Sequence, residues 1–347
     1  MKQGRKKSAV LLIYTGGTIG MKESAEGEGL SPFDFSGILS EVPELRRFQL
    51  RIESYTFDPL IDSSDIVPEI WCSLAEIIKE NYDAYDGFVV LHGTDTMAYS
   101  ASALSFMLKN LGKPVIFTGS QLPIGSLRTD GRENLVSAVE IASAKTPEGL
   151  PAVPEVCIYF NSQLLRGNRA TKMDAVSFDA FRSPNYPVLA QAGISIRYNT
   201  KAILSLPGPD EPFDINTSLD TRVAILKIHP GITPQVARNV LLGKDIRAII
   251  LETYGSGNAI SKPWFTQIVE EASSQGRILL NVTQCPAGEV NMDLYATGKS
   301  LKKAGVISGG DMTTEGALGK LFSLMGKYSD NEVVKRLLQT SVRGEMS

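Results

Sequence analysis

The chain has 347 residues, of which 43% are hydrophobic and 21% charged, a balance typical of folded globular proteins that excludes disorder as the main state. Lys and Arg number 35 against 38 Asp and Glu, so the net charge is −3 and the global basic field of nucleic-acid-binding or membrane-surface proteins is absent. At about 150 residues per domain the length predicts two domains. Three widely spaced cysteines, Cys72, Cys157 and Cys285, fit neither a disulfide framework nor a zinc site and indicate a reducing compartment.

The N-terminus superficially resembles a secretion signal, because basic residues within the first seven positions precede an apolar run at Ala9–Tyr14. The run is shorter than the apolar region of a signal and passes into Thr15 and two glycines without a small-residue cleavage pattern. We interpret it as a buried first strand. No stretch approaches the ~18 uncharged apolar residues of a membrane helix, so a soluble, cytoplasmic protein is expected.

Short apolar runs then alternate with longer helical patterns. The predicted strands are Val10–Tyr14, Gly87–Leu91, Pro114–Thr118 and Val156–Phe160. The predicted helices, with apolar residues at three- and four-residue intervals, are Pro68–Glu80, Met97–Asn110 and Arg132–Ala144. Continuous apolar strands alternating with helices are typical of a parallel α/β sheet whose strands are buried on both faces.

A segment rich in Pro and Gly, residues 205–221, predicts a linker between two domains. We therefore expect an N-terminal α/β domain at 1–204 and a smaller C-terminal α/β domain at 222–347. The predicted strands of the second domain are Val223–Ile228, Ala248–Leu251 and Ile278–Val282. Its predicted helices are Pro234–Leu242, Trp264–Gln275, one from Leu301–Lys303 onward, and Thr314–Met325.

Two loops that follow predicted strands contain threonines among glycines, where open α/β sheets bind their ligands. Thr15-Gly16-Gly17-Thr18-Ile19-Gly20 matches neither the dinucleotide nor the phosphate-loop spacing, and a tight turn alone would also explain its glycines. In His92-Gly93-Thr94-Asp95-Thr96-Met97, Asp95 or Thr96 could simply cap the next helix. Together the two loops favour a catalytic site in which a threonine hydroxyl attacks a carbonyl carbon while backbone amides stabilise the oxyanion.

A threonine hydroxyl needs a group that removes its proton. The chain has two histidines; His92 is expected to be buried and structural, and His229 has no nucleophile beside it, so a Ser-His-Asp triad lacks support. Lys172 follows Arg166 and Arg169, which could lower its pKa enough for it to act as the base. A solvated basic loop is the alternative interpretation of this stretch.

These motifs resemble those of the bacterial-type L-asparaginases, most closely their cytoplasmic type I branch, over essentially the whole chain. The two threonine loops match the two family signatures in order and spacing. Asp58–Asp65 and Thr118–Gln121 match as well, and Arg166–Lys172 resembles the segment with the catalytic lysine. The resemblance implies a larger, flavodoxin-like catalytic N-terminal domain with a mixed, mainly parallel sheet and a smaller C-terminal domain with a doubly wound parallel sheet.

The same resemblance implies hydrolysis of L-asparagine to L-aspartate and ammonia, without metal or organic cofactor. Thr15 would attack the side-chain amide to form an acyl-enzyme, while Thr94, Lys172 and Asp95 would move protons and orient the water that hydrolyses it. The implied substrate-binding residues are Asp62, Ser63, Ser64, Thr94 and Asp95. A homodimer or homotetramer is implied too, with no nucleic-acid or membrane partner.

Two features depart from the family pattern. Family members carry a mobile loop after the first Thr, commonly with a Tyr that touches the nucleophile, but Met21–Leu30 contains glycines and no Tyr, which leaves the group that touches Thr15 open. Some type I enzymes bind asparagine at a second, activating site, which Thr171 and Cys285 match. Glu252 stands where those enzymes have Arg and would repel a carboxylate, so the effector is either absent or bound differently.

The sequence also bears on three alternative functions. Glutamine is one methylene longer than asparagine, and a pocket discriminates one methylene by only ~1–3 kcal/mol, so side activity on glutamine is expected. A relative acting on transfer-RNA-linked glutamine would need an extra N-terminal domain, for which the chain has no room. A non-catalytic amino-acid or nucleotide sensor on the same fold would not need two threonines, an aspartate and a lysine together.

Overall fold

The computed structural model describes residues 8–23, 30–32 and 38–347. They form two compact units. The first comprises the described residues of Met1–Ser183 together with Pro187–Ile215, and the second comprises Pro184–Tyr186 and Asn216–Ser347. The segment 205–221 thus contributes its residues up to Ile215 to the first unit and the rest to the second, and the domain bounds given above stay a prediction.

Strands and helices alternate in the first unit. Its strands are β1 Ala9–Tyr14, β2 Met21–Glu23, β3 Leu30–Pro32, β4 Arg51–Thr56, β5 Gly87–Leu91, β6 Leu108–Lys109, β7 Val115–Thr118, β8 Val156–Phe160, β9 Gln163–Arg166, β10 Thr171–Lys172, β11 Phe181–Arg182, β12 Ala190–Gln191, β13 Arg197–Tyr198 and β14 Asp214–Ile215. Its α-helices are α1 Ile38–Glu41, α2 Pro68–Asn81, α3 Met97–Met107 and α4 Gly131–Ser143.

The main sheet of this unit has eight strands in the order β13-β12-β9-β8-β7-β5-β1-β4. Strands β4, β1, β5, β7 and β8 are parallel, and β9, β12 and β13 continue the sheet antiparallel. When these five parallel strands are numbered along the chain, their order across the sheet is 2-1-3-4-5, which is the flavodoxin-like order. The predicted mixed, mainly parallel sheet is confirmed.

The burial of each strand explains whether it could be predicted from the sequence. Every residue of β1, β5, β7 and β8 is buried, so each is an uninterrupted apolar run. The edge strand β4 is mostly exposed and polar, and it is absent from the predicted strands. The helix predicted to reach Asn110 ends at Met107 instead, because Leu108 and Lys109 pair with β14 as a short antiparallel ladder.

The second unit contains a four-stranded parallel sheet in chain order. Its strands are β15 Val223–Lys227, β16 Ala248–Thr253, β17 Ile278–Thr283 and β18 Ile307–Ser308, and its helices are α5 Pro234–Leu241, α6 Pro263–Ser274, α7 Ala296–Lys303, α8 Thr314–Lys327 and α9 Asn331–Leu338. The helix predicted from Leu301–Lys303 onward ends at Lys303, just before Gly305, which has a φ of +90°. Helix α9 was missed.

Helices cover both faces of this smaller sheet. Ile249 and Leu251 pack with α5, α6 and α7, whereas the alternate residues Ala248 and Ile250 pack with α8 and α9. This is the two-residue alternation of a strand buried on both faces. Within the described ranges, no helix combines the length and the apolar character needed to cross a bilayer.

Candidate active site

The two threonine loops emerge side by side at one edge of the main sheet. Tyr14 pairs with Leu91 in the parallel ladder of β1 and β5, so Thr15 and His92 leave adjacent strands at the same level. The Thr15 backbone N–H and the Thr15 hydroxyl both donate to the Leu91 carbonyl, each at 3.0 Å. β1 lies between its successor β4 and β5, so these loops are at the switch point of the sheet, where this fold class binds ligands.

Glycines allow three segments of this edge to touch. A Cβ at Gly17, whose φ is +90°, would lie 2.6 Å from Gly93 Cα, and a Cβ at Gly93 would lie 2.4 Å from Ser63 Oγ. Neither position has room for a larger residue. Gly93 is therefore the junction between the Thr15 loop, the Thr94 loop and the Ser63 segment.

A lysine joins the second threonine loop from far along the chain. Lys172 Nζ donates to Thr94 Oγ1 at 2.8 Å and to Asp95 Oδ1 at 2.7 Å. The Lys172 side chain is 18% exposed and that of Asp95 is 64% exposed. The predicted grouping of Thr94, Asp95 and Lys172 is thus present in the geometry, with one exposed carboxylate and a largely buried ammonium.

The segment before Lys172 is held by buried groups. Arg166 Nε donates to Glu155 Oε2 at 2.7 Å in an ion pair whose side chains are 3% and 4% exposed. Burial raises the pKa of the Glu155 carboxyl, and Arg166 opposes that shift. Arg169 is also buried. The alternative of a solvated basic loop is therefore wrong for these arginines, and Arg166 supports the segment through Glu155.

Gln121 contacts the same threonine from the loop after β7. Thr94 Oγ1 lies 3.5 Å from Gln121 Oε1, and Gln121 Nε2 donates to the Ser177 carbonyl at 3.0 Å. The Asp130 carboxylate accepts the backbone N–H groups of both Gln121 and Leu122. Asp130 stands at the start of α4, where the sequence suggests only a helix cap, so its role in holding this loop could not be predicted from the sequence.

The Asp62–Ser64 segment is tied to both loops. The Thr15 carbonyl accepts the Ile61 N–H at 2.8 Å, and the buried Ser63 presents its carbonyl to Thr96 Oγ1 at 2.6 Å. Asp62 Oδ1 accepts both the N–H and the hydroxyl of Ser64 at 2.9 Å, and these hydrogen bonds lower the pKa of the Asp62 carboxyl. The structure thus brings this segment to the edge that holds Thr15.

The two histidines lie in different surroundings. His92 is buried, its Nδ1 lies 2.7 Å from the Gly93 carbonyl, and its Nε2 lies 2.9 Å from Ser100 Oγ. Burial lowers the pKa of His92 to about 4. The expected burial of His92 is confirmed, and both of its nitrogens are engaged away from the threonine hydroxyls. His229 is exposed in the second unit.

The predicted effector residues fall in both units: Thr171 belongs to the first, and Glu252 and Cys285 to the second. Glu252 Oε1 accepts the Thr314 hydroxyl at 2.7 Å, and Glu252 Oε2 lies 3.7 Å from Lys227 Nζ. The carboxylate is therefore already engaged by its own neighbours. The effector set stays a prediction.

The predicted lid at Met21–Leu30 lies partly outside the described residues. The backbone of Met21–Glu23 pairs antiparallel with that of Leu30–Pro32, and residues 24–29 are not described. In the described part of the chain, His, Cys, Asp and Glu side chains form no group of three or more that could hold a metal ion.

Two family models match the chain: "Asparaginase, N-terminal" over residues 9–204 and "Glutaminase/Asparaginase C-terminal domain" over residues 222–338. The chain belongs to the asparaginase family, which confirms the resemblance inferred from the motifs.

Relatives named L-asparaginase 1 and L-asparaginase I are similar to this chain over nearly its whole length. L-asparaginase 1 of Escherichia coli strain K12 is 46% identical over 99% of this chain and 99% of its own. Among solved structures, L-asparaginase I from Vibrio cholerae superposes with a TM-score of 0.88 at 43% identity, covering 99% of this chain and 100% of that one. The thermostable L-asparaginase from Thermococcus kodakarensis has the same TM-score at 31% identity, covering 98% and 99% of the two chains.

Proposed function

We propose that this protein is an L-asparaginase, which hydrolyses the side-chain amide of L-asparagine to give L-aspartate and ammonia. The observation that carries the proposal is the hydrogen-bonded cluster of Thr94, Asp95 and Lys172 at the sheet edge where Thr15 also emerges. Family membership and relatives named L-asparaginase support the substrate. The relatives give no support to a sensor.

Thr15 is the nucleophile in this proposal. Its Oγ1 attacks the amide carbon, the C–N bond breaks, and the nitrogen leaves as ammonia after gaining a proton, which leaves an aspartyl ester on Thr15. The Thr15 hydroxyl donates to the Leu91 carbonyl, which cannot accept the proton permanently. The hydroxyl must therefore turn toward a base when substrate binds, as catalytic hydrogen bonds often do.

The Thr94 cluster serves the second half of the reaction. A water held at Thr94 loses a proton to the cluster and attacks the ester carbon, the ester bond to Thr15 breaks, and Thr15 regains its proton. Lys172 is placed for this role because its Nζ contacts both Thr94 and Asp95.

Charge complementarity supports the substrate-binding role proposed for Asp95. The Asp95 carboxylate remains 64% exposed despite its contact with Lys172, so it can meet the α-ammonium of asparagine. Asp62, Ser63 and Ser64 would hold the α-carboxylate and the ammonium through hydroxyl and backbone groups. The tie between Ile61 and Thr15 keeps this segment in register with the nucleophile.

Ammonia release from L-asparagine and L-glutamine, measured side by side from low to high substrate, tests the proposal. We expect turnover of asparagine and a weaker activity on glutamine, because the two differ by one methylene worth ~1–3 kcal/mol. Binding of asparagine without ammonia release would support the sensor instead. A hyperbolic asparagine curve without lag would count against the effector site at Thr171, Glu252 and Cys285.

A cytoplasmic location and a homodimeric or homotetrameric assembly complete the proposal, as for the type I enzymes that the chain resembles. The three free cysteines agree with a reducing compartment. Light scattering on the purified protein tests the assembly, and a monomer at enzyme-assay concentration would contradict it.

A further inference from the structure

A buried chain of hydrogen bonds leads from α2 to the Thr94 loop. Trp71 Nε1 lies 2.9 Å from Ser100 Oγ on α3, which lies 2.9 Å from His92 Nε2, while His92 Nδ1 lies 2.7 Å from the Gly93 carbonyl oxygen. Trp71, Ser100 and His92 are 6%, 0% and 1% exposed. The proposed mechanism gives these three side chains no role.

The two ends of this chain fix the direction of every bond in it. An indole N–H can only donate and a carbonyl oxygen can only accept. Trp71 therefore donates to Ser100, and His92 Nδ1 carries the hydrogen that Gly93 accepts. Burial keeps the imidazole neutral, so His92 Nε2 has a lone pair that accepts the Ser100 hydroxyl. All three hydrogen bonds therefore run in one direction, from Trp71 to Ser100 to His92 to Gly93, and His92 has a single tautomer.

The hydrogen bond from His92 to the Gly93 carbonyl fixes the plane of the Gly93–Thr94 peptide in the candidate site. Among the described residues only Asp58–Pro59 has a cis peptide bond, so the Gly93–Thr94 peptide is trans. Its N–H points opposite to its carbonyl, and with the carbonyl held by His92 the Thr94 N–H points away from the histidine. In the described part of the chain this N–H has no hydrogen-bond partner.

The histidine is itself rigidly held. Its backbone N–H donates to the Thr118 carbonyl at 2.9 Å, and its ring packs 5.9 Å from the ring of Phe117. A Cβ at Gly119 would lie 2.4 Å from the His92 carbonyl oxygen, so the backbone just after β7 packs directly against His92. A displacement of the imidazole would therefore be passed to Gly93, and from Gly93 to Thr94, Gly17 and Ser63.

We infer that His92 is a positioning residue for the proposed amidohydrolase reaction: the Trp71–Ser100–His92 chain locks its Nδ1–H tautomer, and that N–H fixes the Gly93–Thr94 peptide beside the reacting groups. The inference rests on the proposed function for the role of Thr94. The tautomer and the hydrogen-bond direction do not depend on it.

Two substitutions separate the two nitrogens of the imidazole. His92→Asn places an amide N–H where Nδ1 stands and keeps the donor to Gly93, whereas His92→Gln places its amide near Nε2 and keeps only the contact with Ser100. We expect kcat for asparagine to fall about 100-fold in His92→Gln, the loss typical of a displaced catalytic group. His92→Asn should retain most of kcat. A merely structural histidine would give both variants the same kcat per folded molecule, which would overturn the inference.

His229 provides a matched control, because its Nδ1 also lies 3.0 Å from the carbonyl of the next residue, Pro230, but on an exposed loop. His229→Asn and His229→Gln should leave kcat unchanged. The chain has two histidines, so His229→Gln also leaves a single imidazole to observe.

Long-range proton–nitrogen NMR spectra of nitrogen-15-labelled His229→Gln test the tautomer without disturbing His92. We expect a protonated Nδ1 and an unprotonated Nε2 at neutral pH. A protonated Nε2 in the single-histidine protein would overturn the inference.

The outcomes also separate this inference from the proposed function. A protein that releases no ammonia from asparagine contradicts the proposed function, while the NMR spectra still decide the tautomer. An active enzyme in which His92→Asn and His92→Gln have equal kcat contradicts the positioning role alone.

Discussion

Lys172 Nζ lies 2.8 Å from Thr94 Oγ1, although 78 positions separate the two residues in the chain. The lysine reaches the threonine because the short β10–β11 hairpin is anchored by Phe181, whose ring packs 5.1 Å from that of Phe160 at the end of β8. The contact between Phe181 and Phe160 thus places Lys172 beside the loop that follows β5.

Removing the lysine amine should abolish turnover without unfolding the protein. For Lys172→Met we expect kcat for asparagine to fall by about 10²–10⁴, the usual loss of a general acid or base. Thermal unfolding should change little, because the partner carboxylate is mostly exposed. Ammonia release and a thermal melt measure the two quantities.

Lys335→Met is the matched control for that substitution. Lys335 forms an ion pair of 2.7 Å with Glu332, and the two side chains are 21% and 78% exposed, close to the values for Lys172 and Asp95. It should leave kcat unchanged. Ordinary activity in Lys172→Met would remove the lysine from the mechanism.

Gly93→Ala should damage the site more than the fold. The new Cβ would lie 2.4 Å from Ser63 Oγ and 2.6 Å from Ser63 Cβ, so Ser63 or the Thr94 loop must shift. We expect kcat/KM for asparagine to fall at least about 100-fold, the order expected for a site displaced by about 1 Å. Gly193→Ala, whose Cβ would meet only the Ser195 carbonyl at 3.9 Å, is the control, and equal kinetics in the two variants would contradict the close packing.

The sequence predicts the parts of the fold that depend on burial of continuous apolar runs. Strands β1, β5, β7 and β8 are buried throughout, so they and the loops that follow them could be located, including Thr15 and Thr94. The edge strand β4 and the two-residue strands β12 and β13 were not found, because edge strands lack a second buried face and two residues show no period.

Long-range partners in the site were harder to predict. Lys172 was proposed as the base from the two arginines before it, and the family motif agreed, but no local pattern indicates that it meets Thr94. Asp130 could be taken only for a helix cap, since its bonds to Gln121 and Leu122 depend on how the loop after β7 folds back. The Trp71–Ser100–His92 chain joins α2, α3 and the loop after β5, and each of its members alone is an ordinary core residue.

His92 should make stability depend on pH. Burial lowers its pKa to about 4 in the folded protein, against 6.5 when exposed. The unfolded chain therefore binds more protons between these values, and stability is lost as the pH falls below about 6.5. Between pH 7 and pH 5 we expect the wild type to lose about 2 kcal/mol more unfolding free energy than His92→Asn. Urea denaturation at both pH values measures this, and equal losses would show that His92 does not titrate as expected.

Within the second unit, a buried ion pair holds the C-terminal residues against helix α8. Lys320 Nζ lies 2.6 Å from Glu345 Oε1, both side chains are fully buried, and Glu345 also accepts the N–H groups of Val342 and Arg343. Glu345→Ala leaves a buried unpaired ammonium and should cost about 3 kcal/mol of unfolding free energy.

The exposed pair of Lys335 and Glu332 is again the control: Glu332→Ala should cost less than about 1 kcal/mol. Replacing both buried charges, as in Lys320→Met with Glu345→Leu, should recover most of the lost stability. Denaturant titrations of the three variants compare these values, and a Glu345→Ala protein as stable as the wild type would contradict the role of the pair.

In the proposed mechanism Thr15 carries the acyl group during asparagine hydrolysis. In Lys172→Met the second step is expected to be slow, so rapid acid quenching with excess asparagine, followed by proteolysis and mass spectrometry, should locate the intermediate. We expect an aspartyl ester on the peptide containing Thr15 and none in the double variant with Thr15→Ala. An ester on Thr94, or ordinary ammonia release by Thr15→Ala, would contradict the account.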